Sequence, residues 1–472
     1  MLTDENIYDV VIIGAGIAGM VTAVRARQLG LNVLVLEKSP ENKYMCNTRL
    51  SSGVFHCALL TPSSPKATLE DKINLDTQAF ADPLQSKTVS KEALNSIRWL
   101  QSLGVRFIKG AQAYYEFILS PPTLFHQNQG WNNKGGDLLL MRLEKALIEL
   151  GGQLLRGFEA KTLTTMEDGR LRITFNGPNT KCDAFLAKNV VIADGGFQSN
   201  RSLLEKEISP APEKVFQRNS RVSMGDGLRM AMGLGAKVNS YESFYGHLLS
   251  RDAFHNEHLW PNPWLDAIAS AGLLVNERGQ RFANEGLGGI HLANQVAKLK
   301  NPLGAYAVAD ERIWTERGHL NMQGPNPKLI EVGATFFRGD DLKALAEKAG
   351  IDPQALLKTV HDYNEKWAAN DLSNLQPLRT QDKSPAYPLL HKPFYIFPVC
   401  AGITYTMGGI KINENAQILD HQDLPIQGLF AVGACTGGLE GGAHTGYVGG
   451  LIKSAVMGLQ AAQWIHQKAQ RP

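Results

Sequence analysis

Three glycines near the start of the 472-residue chain have the spacing that a nucleotide pyrophosphate requires. Gly14 allows a sharp turn out of a strand, Gly16 has no Cβ to keep a phosphate from the backbone, and Gly19 lets the next helix pack closely. Unpaired N–H groups at the start of such a helix attract an anion. Glu37 follows Gly19 by 18 residues, where a carboxylate accepts hydrogen bonds from ribose hydroxyls. This spacing predicts a bound dinucleotide.

The elements around these glycines have the properties that such a site needs. Residues 10–13 are apolar and β-branched, as in a strand buried on both faces of a parallel sheet. Residues 18–30 form a helical pattern that ends at a glycine, and a second apolar strand ends at Glu37. A glycine-rich turn without a ligand is the alternative, but the strand, the helix and the acid all favour a nucleotide. A fingerprint this close to residue 1 is more typical of FAD-binding proteins than of nicotinamide dehydrogenases.

Composition and charge argue against several classes of protein. The formal net charge is +3 and no block of like charges occurs, so we expect small-molecule partners and no nucleic acid. No apolar run approaches the roughly 18 residues that a membrane span needs, and the acidic first residues leave no room for a secretion signal. The cysteines are odd in number and include no C-x-x-C pair, so neither a disulfide framework nor a metal site is expected: Cys46, Cys57, Cys182, Cys400 and Cys435. We therefore predict a cytoplasmic protein.

The rest of the chain alternates helical and strand-like patterns. Residues 67–104 and 135–151 have helical periodicity, whereas residues 188–197 form a buried strand that ends in a glycine pair. We expect the end of that strand to reach the cofactor crevice. From about residue 240 to 400 tryptophans and prolines are frequent, and a helical pattern over 342–367 is broken at Asp352-Pro353. This change predicts an inserted domain at 240–400 within a cofactor domain formed by residues 1–239 and 401–472.

Several segments in order resemble one flavoprotein family, that of fumarate reductases, succinate dehydrogenase flavoprotein subunits, 3-ketosteroid dehydrogenases, tricarballylate dehydrogenases and 4-oxocyclohexanecarboxylate dehydrogenases. Besides the glycine fingerprint, the matching segments are residues 47–53, 191–197, 225–227 with 235–236, 275–285, 406–409 and 425–438. The resemblance covers nearly the whole chain. It implies an α/β fold with a Rossmann-like FAD-binding domain, a parallel sheet with helices, and an inserted α+β cap domain that closes over the isoalloxazine.

The resemblance also implies that FAD contacts both ends of the chain. In the covalent members a histidine stands at the position of Asn47, so we expect non-covalent FAD. From composition alone, residues 47–53 either wrap the cofactor or form an ordinary loop. The expected FAD contacts are Gly14, Gly16, Ile17, Ala18, Gly19, Glu37, Lys38, Asn47, Thr48, Ser51, Ser52, Gly53, Ala160, Ala193, Asp194, Gly195, Asn200, Asp226, Gly408, Gly433, Ala434, Gly449, Gly450, Leu451 and Ile452.

Departures from the fumarate reductases narrow the implied chemistry. Trp314 stands where their proton-donating arginine is expected, and Arg312 is displaced by two positions. Tyr405 replaces a histidine before the Thr-Met-Gly-Gly segment, and residues 444–450 replace a segment that contains an arginine. The resemblance therefore implies that a dicarboxylate pocket built from guanidinium groups is lost.

The residues at these substituted positions resemble those of the ketosteroid desaturases, in which a tyrosine beside a glycine pair holds the substrate carbonyl. Here the matching residues are Tyr447 and Gly450, and further substrate contacts are expected from Tyr114 and His444. The implied reaction is an α,β-desaturation, in which the C–H beside the held carbonyl loses a proton and FAD takes the β-hydrogen as hydride. The base is either a tyrosine made more acidic by its neighbours or a histidine near its ordinary pKa. Tyrosines and histidines also often have a purely structural role in packing. The candidate bases are Tyr405, Tyr245, Tyr114, Tyr115, His247 and His444.

Glu285 has two interpretations, a residue at the substrate face of the cap or a surface carboxylate.

The leading hypothesis is an FAD-dependent dehydrogenase that introduces a C=C bond beside the carbonyl of a small cyclic ketone, an oxo acid or a 3-ketosteroid. The alternatives are a fumarate reductase-like alkene reductase, a tricarballylate-type dehydrogenase acting on a polycarboxylate, and a flavin-binding protein without turnover. The external electron acceptor is oxygen, a quinone or a separate carrier, because the sequence has no iron–sulfur or haem motif.

Overall fold

A computed structural model describes residues 7–123, 130–178, 184–239, 241–320 and 324–470. The α-helices are α1 (Ile17–Gln28), α2 (Asn47–Leu50), α3 (Lys66–Thr77), α4 (Pro83–Ser102), α5 (Gly135–Glu149), α6 (Arg201–Glu207), α7 (Asp226–Gly233), α8 (Asp266–Ala271), α9 (Gly289–Ala297), α10 (Glu311–Glu316), α11 (Lys328–Glu331), α12 (Leu342–Ala349), α13 (Pro353–Ala368) and α14 (Gly450–Ala469). The strands of the first half are β1 (Ile7–Ile13), β2 (Val33–Glu37), β3 (Val54–Phe55), β4 (Phe107–Ile108), β5 (Phe117–Leu119), β6 (Gln153–Arg156), β7 (Glu159–Thr165), β8 (Leu171–Asn176), β9 (Ala184–Ile192), β10 (Phe216–Gln217) and β11 (Val238–Asn239). Those of the second half are β12 (Phe244–Ser250), β13 (Leu273–Asn276), β14 (Ala305–Asp310), β15 (Phe337–Gly339), β16 (Phe394–Thr406), β17 (Gly409–Lys411), β18 (Gln417–Leu419), β19 (Pro425–Ala431) and β20 (Thr436–Gly437).

The first large sheet has a parallel centre with the order β19-β9-β1-β2-β6, to which β18 adds an antiparallel edge. β1 pairs in parallel with β2, and β2 is buried along its whole length, because helices cover both faces of such a sheet. β19, from the last segment of the chain, pairs in parallel with β9. The last segment of the chain thus adds a strand to the sheet that β1 and β2 form, while the division into domains stays a prediction.

Helices cover this sheet where their apolar residues predict. α1 packs against α5 and α14, and its residues are almost all buried, so it lies in the core rather than on the surface. The helical pattern over 67–104 forms two helices, α3 and α4, and Asp82 caps the second by accepting hydrogen bonds from the N–H groups of Leu84 and Gln85, both at 3.0 Å.

The second large sheet has six strands and lies mostly within residues 240–400, with the order β10-β16-β14-β13 and with β12 and β15 also paired to β16. The predicted break at Asp352-Pro353 is confirmed, because α12 ends before it and α13 begins with the proline. β16 runs without interruption across the predicted boundary at 400/401, so this long strand connects the cap sheet to the FAD-binding region. The boundaries themselves stay predictions.

Two further observations concern the predictions from composition. Among the residues that the structure describes, no helix combines the length and the apolar character needed to cross a membrane. Cys46, Cys57, Cys400 and Cys435 are free thiols in the described part of the chain, and Cys182 lies outside it.

Candidate active site

A cavity of about 610 Å³ lies where the carboxyl ends of the parallel strands meet the second sheet. The residues that follow β1, β2 and β9 all line it, as expected for a ligand site in an α/β sheet. The predicted site residues that line it are Gly14, Gly16, Ile17, Ala18, Glu37, Lys38, Asn47, Thr48, Ser51, Ser52, Tyr114, Tyr115, Ala160, Ala193, Asp194, Gly195, Asp226, Tyr245, His247, Tyr405, Ala434, Tyr447, Gly450 and Leu451. Those that lie outside its lining are Gly19, Gly53, Asn200, Glu285, Gly408, Gly433, His444, Gly449 and Ile452.

The glycine turn provides the backbone surface that a pyrophosphate needs. Gly14 has φ +103°, and a Cβ there would lie 2.6 Å from the carbonyl oxygen of Ala193, so only glycine fits. A Cβ at Gly16 would meet nothing closer than the Thr48 hydroxyl at 3.6 Å, which leaves space for a ligand above the backbone. The same hydroxyl accepts a hydrogen bond from the N–H of Ile17 at 3.1 Å and fixes the start of α1.

Glu37 lies at the end of β2 with its carboxylate turned back to the glycine turn. Its two oxygens accept hydrogen bonds from the N–H groups of Ala15 at 3.3 Å and Ser39 at 2.9 Å. Burial raises the pKa of this carboxyl. A carboxylate oxygen accepts more than one hydrogen bond, so these contacts leave capacity for a ribose hydroxyl.

Two buried side chains in the cavity wall have polar atoms without partners among the described residues. Oδ2 of Asp194 accepts the N–H of Gly227 at 2.7 Å, whereas its Oδ1 has no partner, and burial raises the pKa of this carboxyl to about 6. Gln198 is 1% exposed, and neither its Oε1 nor its Nε2 is paired. Unpaired buried polar atoms are costly, so these positions are suited to the polar edges of a bound cofactor. Sequence analysis missed Gln198, because nothing local distinguishes it.

Some predicted contacts are occupied by the protein itself. Asn47 donates through Nδ2 to the carbonyl of Thr404 at 2.9 Å, and its Oδ1 accepts from the N–H and hydroxyl of Ser220 at 2.9 and 2.8 Å. Asn47 therefore joins the start of the chain to β16. Asn200 caps α6, where its Oδ1 accepts from the N–H of Leu203 at 3.1 Å.

Three tyrosines meet in the wall between the two sheets. Tyr245 and Tyr405 are direct partners in the antiparallel pair of β12 and β16, with ring centroids 5.4 Å apart. The ring of Tyr447, from the loop before α14, stacks on Tyr245 with centroids 4.0 Å apart and an interplanar angle of 11°. This stacking places the side chains of Tyr245 and Tyr447 together in the cavity wall.

A chain of hydrogen bonds extends from this cluster through two further residues. Nε2 of His247 lies 3.0 Å from the Tyr245 hydroxyl, and its Nδ1 lies 2.7 Å from Oδ2 of Asp266. Tyr245 and His247 share one face of β12 because they are two residues apart. Trp264 stacks on the imidazole with ring centroids 3.6 Å apart. Burial lowers the pKa of His247, while Asp266 opposes the shift, so the imidazole is neutral at pH 7.

Behind Tyr405 lies a buried ion pair that no local pattern revealed. Nζ of Lys453 is 2.8 Å from Oε2 of Glu440, and these residues are 2% and 1% exposed. The Tyr405 hydroxyl donates to this carboxylate at 3.0 Å, and the N–H groups of Val448 and Gly449 donate to it at 3.0 and 2.9 Å. Burial raises the pKa of Glu440, but Lys453 and these donors outweigh it and hold the pKa below its ordinary value.

The expectation of a tyrosine made more acidic by its neighbours is wrong for three candidate bases, Tyr245, Tyr405 and Tyr114, and the pKa of Tyr447 shifts in the same direction. Burial is the largest cause that raises the pKa of Tyr245, Tyr405 and Tyr447, and it also raises that of Tyr114. Desolvation disfavours the phenolate, and these rings are enclosed by other aromatic groups. The hydroxyls are therefore protonated donors at neutral pH.

Glu285 fits neither interpretation offered by the sequence. It is fully buried, and its carboxylate accepts hydrogen bonds from Nε and Nη2 of Arg281 at 2.9 and 2.5 Å, with Nε of Arg379 3.9 Å away. The residue therefore stabilises the core of the cap through this buried ion pair.

Trp314 is buried against Tyr395, with ring centroids 5.4 Å apart, which agrees with its inability to act as a proton donor.

The implied loss of guanidinium groups is not complete. Arg218 and Arg317, which the sequence did not single out, both line the cavity. They lie outside the segments that carried the resemblance, and only the tertiary fold brings them to the site.

The comparisons with known proteins agree with this geometry. A family model described as FAD binding domain matches residues 9–449. The chain belongs to this family. It is similar to the vinyl phenol reductase of Lactiplantibacillus plantarum, at 24% identity over 99% of both proteins. It is also similar to a probable fumarate reductase of Shewanella frigidimarina, at 25% identity over 92% of this chain and 70% of that protein. Among solved structures, the 3-ketosteroid-delta4-(5alpha)-dehydrogenase of Rhodococcus jostii matches with a TM-score of 0.71, at 22% identity over 98% of this chain and 97% of that one.

Membership of the FAD-binding family confirms the resemblance and the fold class, and it identifies FAD as the cofactor. The chain is an FAD-dependent oxidoreductase. The cavity fits this cofactor, because the open backbone at Gly16 and the unpaired atoms of Asp194 and Gln198 lie along one continuous wall. The individual contact residues stay predictions.

Proposed function

We propose that the protein removes two hydrogens from a carbon–carbon bond beside a carbonyl group of a small cyclic ketone, oxo acid or 3-ketosteroid. The observation that carries this proposal is the hydrogen-bonded chain Tyr245–His247–Asp266, which begins at the cavity beside the stacked ring of Tyr447 and ends at a carboxylate. Such a chain moves one proton at a defined place. The other hydrogen leaves as hydride, which FAD accepts when bound.

Each residue of the chain has a distinct part in this proposal. Tyr447 donates its hydroxyl to the substrate carbonyl and stabilises enolate character as the adjacent C–H loses its proton. Tyr245 takes that proton while its own passes to Nε2 of His247, 3.0 Å away. Asp266 stabilises the imidazolium that forms, in the manner of a catalytic triad. A tyrosine with a raised pKa needs this relay, because it does not ionise by itself near neutral pH.

Reduction of an activated alkene is the second candidate function. The raised pKa values of Tyr245, Tyr405 and Tyr447 favour it, because protonated hydroxyls are ready to donate a proton to a substrate carbon. The similarity to a vinyl phenol reductase and a probable fumarate reductase also supports it. The same residues serve both directions. Desaturation needs an external acceptor, oxygen, a quinone or a carrier, whereas alkene reduction needs a reduced carrier that supplies two electrons to the flavin, so the available redox partner decides between them.

The test is anaerobic flavin reduction by cyclic ketones, oxo acids and steroids, set against reoxidation of the reduced enzyme by fumarate and vinyl phenols. We expect bleaching by a ketone. Replacing Tyr245 with Phe should slow it by about 10²- to 10⁴-fold, and Tyr447→Phe by at least about tenfold, with FAD content unchanged. Unchanged rates in both variants would reject these roles. A protein that binds FAD yet shows neither bleaching nor reoxidation would contradict the proposal as a whole.

The proposal also covers how FAD is attached and where in the cell the protein is located. We infer non-covalent FAD, because Asn47 offers no nucleophile and its amide is bound on both sides by Thr404 and Ser220. Acid precipitation should leave the flavin in the supernatant, and a flavin band on a denaturing gel would contradict this. A cytoplasmic location is part of the same proposal, and cell fractionation tests it.

A further inference from the structure

Arg218 is a cation at the cavity wall whose protein partners are all neutral. Its Nε donates to the carbonyl of Pro261 at 2.8 Å and its Nη1 to the hydroxyl of Thr404 at 2.7 Å. No carboxylate of the described residues lies within 4.0 Å of its nitrogens. Burial lowers the pKa of this guanidinium, and Tyr245, Asp266 and Tyr447 only partly oppose the shift.

A desolvated guanidinium without a carboxylate partner is costly for the folded protein. Two other enclosed arginines have a carboxylate partner, whereas Arg379 donates mainly to backbone carbonyls, with Glu285 3.9 Å away. Nε of Arg49 pairs with Asp137 at 2.9 Å, and Arg281 pairs with Glu285. Arg218 lines the cavity and lacks such a pair, so an anionic ligand is the missing partner.

The position of Arg218 ties it to the reacting site. Its guanidinium carbon lies 5.3 Å from the ring centroid of Trp264, which also stacks on the imidazole of His247 with ring centroids 3.6 Å apart. The two hydrogen bonds fix the guanidinium before any ligand arrives, which lowers the entropy cost of binding. Arg317 also lines the cavity, but its guanidinium lies over Tyr387 at 5.7 Å, and no described contact joins it to the proton-relay residues.

We propose that Arg218 binds a carboxylate of the substrate, so that the substrate is a ring ketone that carries an acid group. This inference rests on the proposed function, and it favours the oxo acids among the substrate classes proposed above. The flat wall formed by Trp264 and the stacked tyrosines suits the ring, and the guanidinium offers a planar donor edge to a carboxylate. One such guanidinium beside the relay favours a monocarboxylate over a polycarboxylate.

The experiment compares matched pairs of acid and ester with the FAD-loaded enzyme. Calorimetry measures binding of cyclohexanecarboxylate, which carries no ketone, and anaerobic titration measures half-saturation by 4-oxocyclohexanecarboxylate and by its methyl ester. We expect Arg218→Gln to weaken both acids at least about tenfold, the loss of one charge-assisted hydrogen bond, and to change the ester by less than about twofold. Arg218→Lys should retain part of the preference, because it keeps the charge without the fork.

Arg221→Gln is the matched control, because Arg221 is exposed in the same loop and does not line the cavity. It should change none of these values. Failure of the wild type to bind cyclohexanecarboxylate would overturn the proposal, as would equal weakening of acid and ester in Arg218→Gln. Loss of FAD from that variant would assign the guanidinium to the cofactor instead, which also overturns it. If no ketone reduces the flavin but cyclohexanecarboxylate binding still depends on Arg218, the anion site stands and the proposed reaction fails.

Discussion

The nucleotide cradle and the proton-relay wall lie in one cavity but are built in opposite ways. The cradle uses backbone groups from one short stretch, with Gly14 and Glu37 at the ends of adjacent parallel strands. The relay wall uses side chains that are distant in sequence, and the pairing of β12 with β16 brings Tyr245 opposite Tyr405. The glycine turn and its acid are thus encoded by local sequence, whereas the proposed relay depends on the tertiary fold.

The effect with the widest consequence concerns the cradle, because every flavin-dependent rate falls with the amount of bound FAD. Gly14→Ala forces a Cβ to within 2.6 Å of the Ala193 carbonyl oxygen at φ +103°, a strain of about 1–3 kcal/mol or more. The pyrophosphate turn must shift, so we expect bound FAD to fall at least about tenfold. Flavin absorbance per protein after purification measures this.

Gly233→Ala is the matched control, since a Cβ there meets nothing within 4 Å. Its FAD content should equal that of the wild type. A Gly14→Ala protein that retains its full flavin content would show that FAD binding does not depend on the backbone of this turn. The proposed difference between a backbone-built cradle and a side-chain-built wall would then be wrong.

The cradle was predictable because its signals are contiguous. Strand, glycine, helix and acid all occur within residues 10–37, and Asp194, two residues after the end of β9, is followed by its own glycine pair. The helix break at Asp352-Pro353 was equally local, because a proline at the first helical position follows an aspartate cap. In each case the structure follows from neighbours along the chain.

The wall was only partly predictable. Tyr245, His247, Tyr405 and Tyr447 were candidates, but their order in a relay and the direction of their pKa shifts depend on burial, which no local pattern gives. Asp266 and Arg218 escaped notice because their partners lie 19 and 186 residues away. Glu285 was misread although its main partner, Arg281, is only four residues away, because its complete burial depends on the tertiary fold.

The second effect tests the ion pair that supports the wall. Glu440→Gln leaves Lys453 buried without a counter-charge, which should lower the free energy of unfolding by about 3–5 kcal/mol. The folded-state pKa of Glu440 is lowered, so its contribution is present above the unfolded pKa and is lost as the pH falls through the folded one. Denaturant unfolding at several pH values measures both.

Combining Glu440→Gln with Lys453→Met removes the unpaired charge and should recover much of that stability. Activity should not recover, because the Val448 and Gly449 N–H groups and the Tyr405 hydroxyl lose their carboxylate. A double variant that is both stable and fully active would contradict a positioning role for Glu440.

The third effect concerns the pH dependence of the relay. Dehydrogenation needs neutral His247, whose pKa is lowered by burial, so the rate should fall as the pH drops through that lowered pKa, below about 6.5. Asp266→Asn removes the carboxylate that opposes the shift. The acid limb should then move to lower pH, and the maximal rate should fall by roughly 10²-fold because the imidazolium is no longer stabilised.

The pH profile of anaerobic flavin reduction measures this third effect. Asp362→Asn is a suitable control, because this exposed carboxylate pairs only with Lys358 in the described part of the chain. An Asp266→Asn profile that coincides with that of the wild type would remove Asp266 from the relay.

The smallest expected effect separates this wall from an arginine-based mechanism. Arg312 is the basic residue nearest in sequence to the position where the fumarate reductases have their proton donor, but it is exposed on α10 and pairs with Glu316 at 3.1 Å. Exposed pairs of this kind contribute about 0–1 kcal/mol. Arg312→Ala should therefore leave both the rate of flavin reduction and the unfolding midpoint within experimental error, whereas Arg218→Gln changes selectivity. A tenfold or greater loss of rate in Arg312→Ala would mean that α10 moves into the cavity during turnover, and the tyrosine wall would then no longer account for proton transfer.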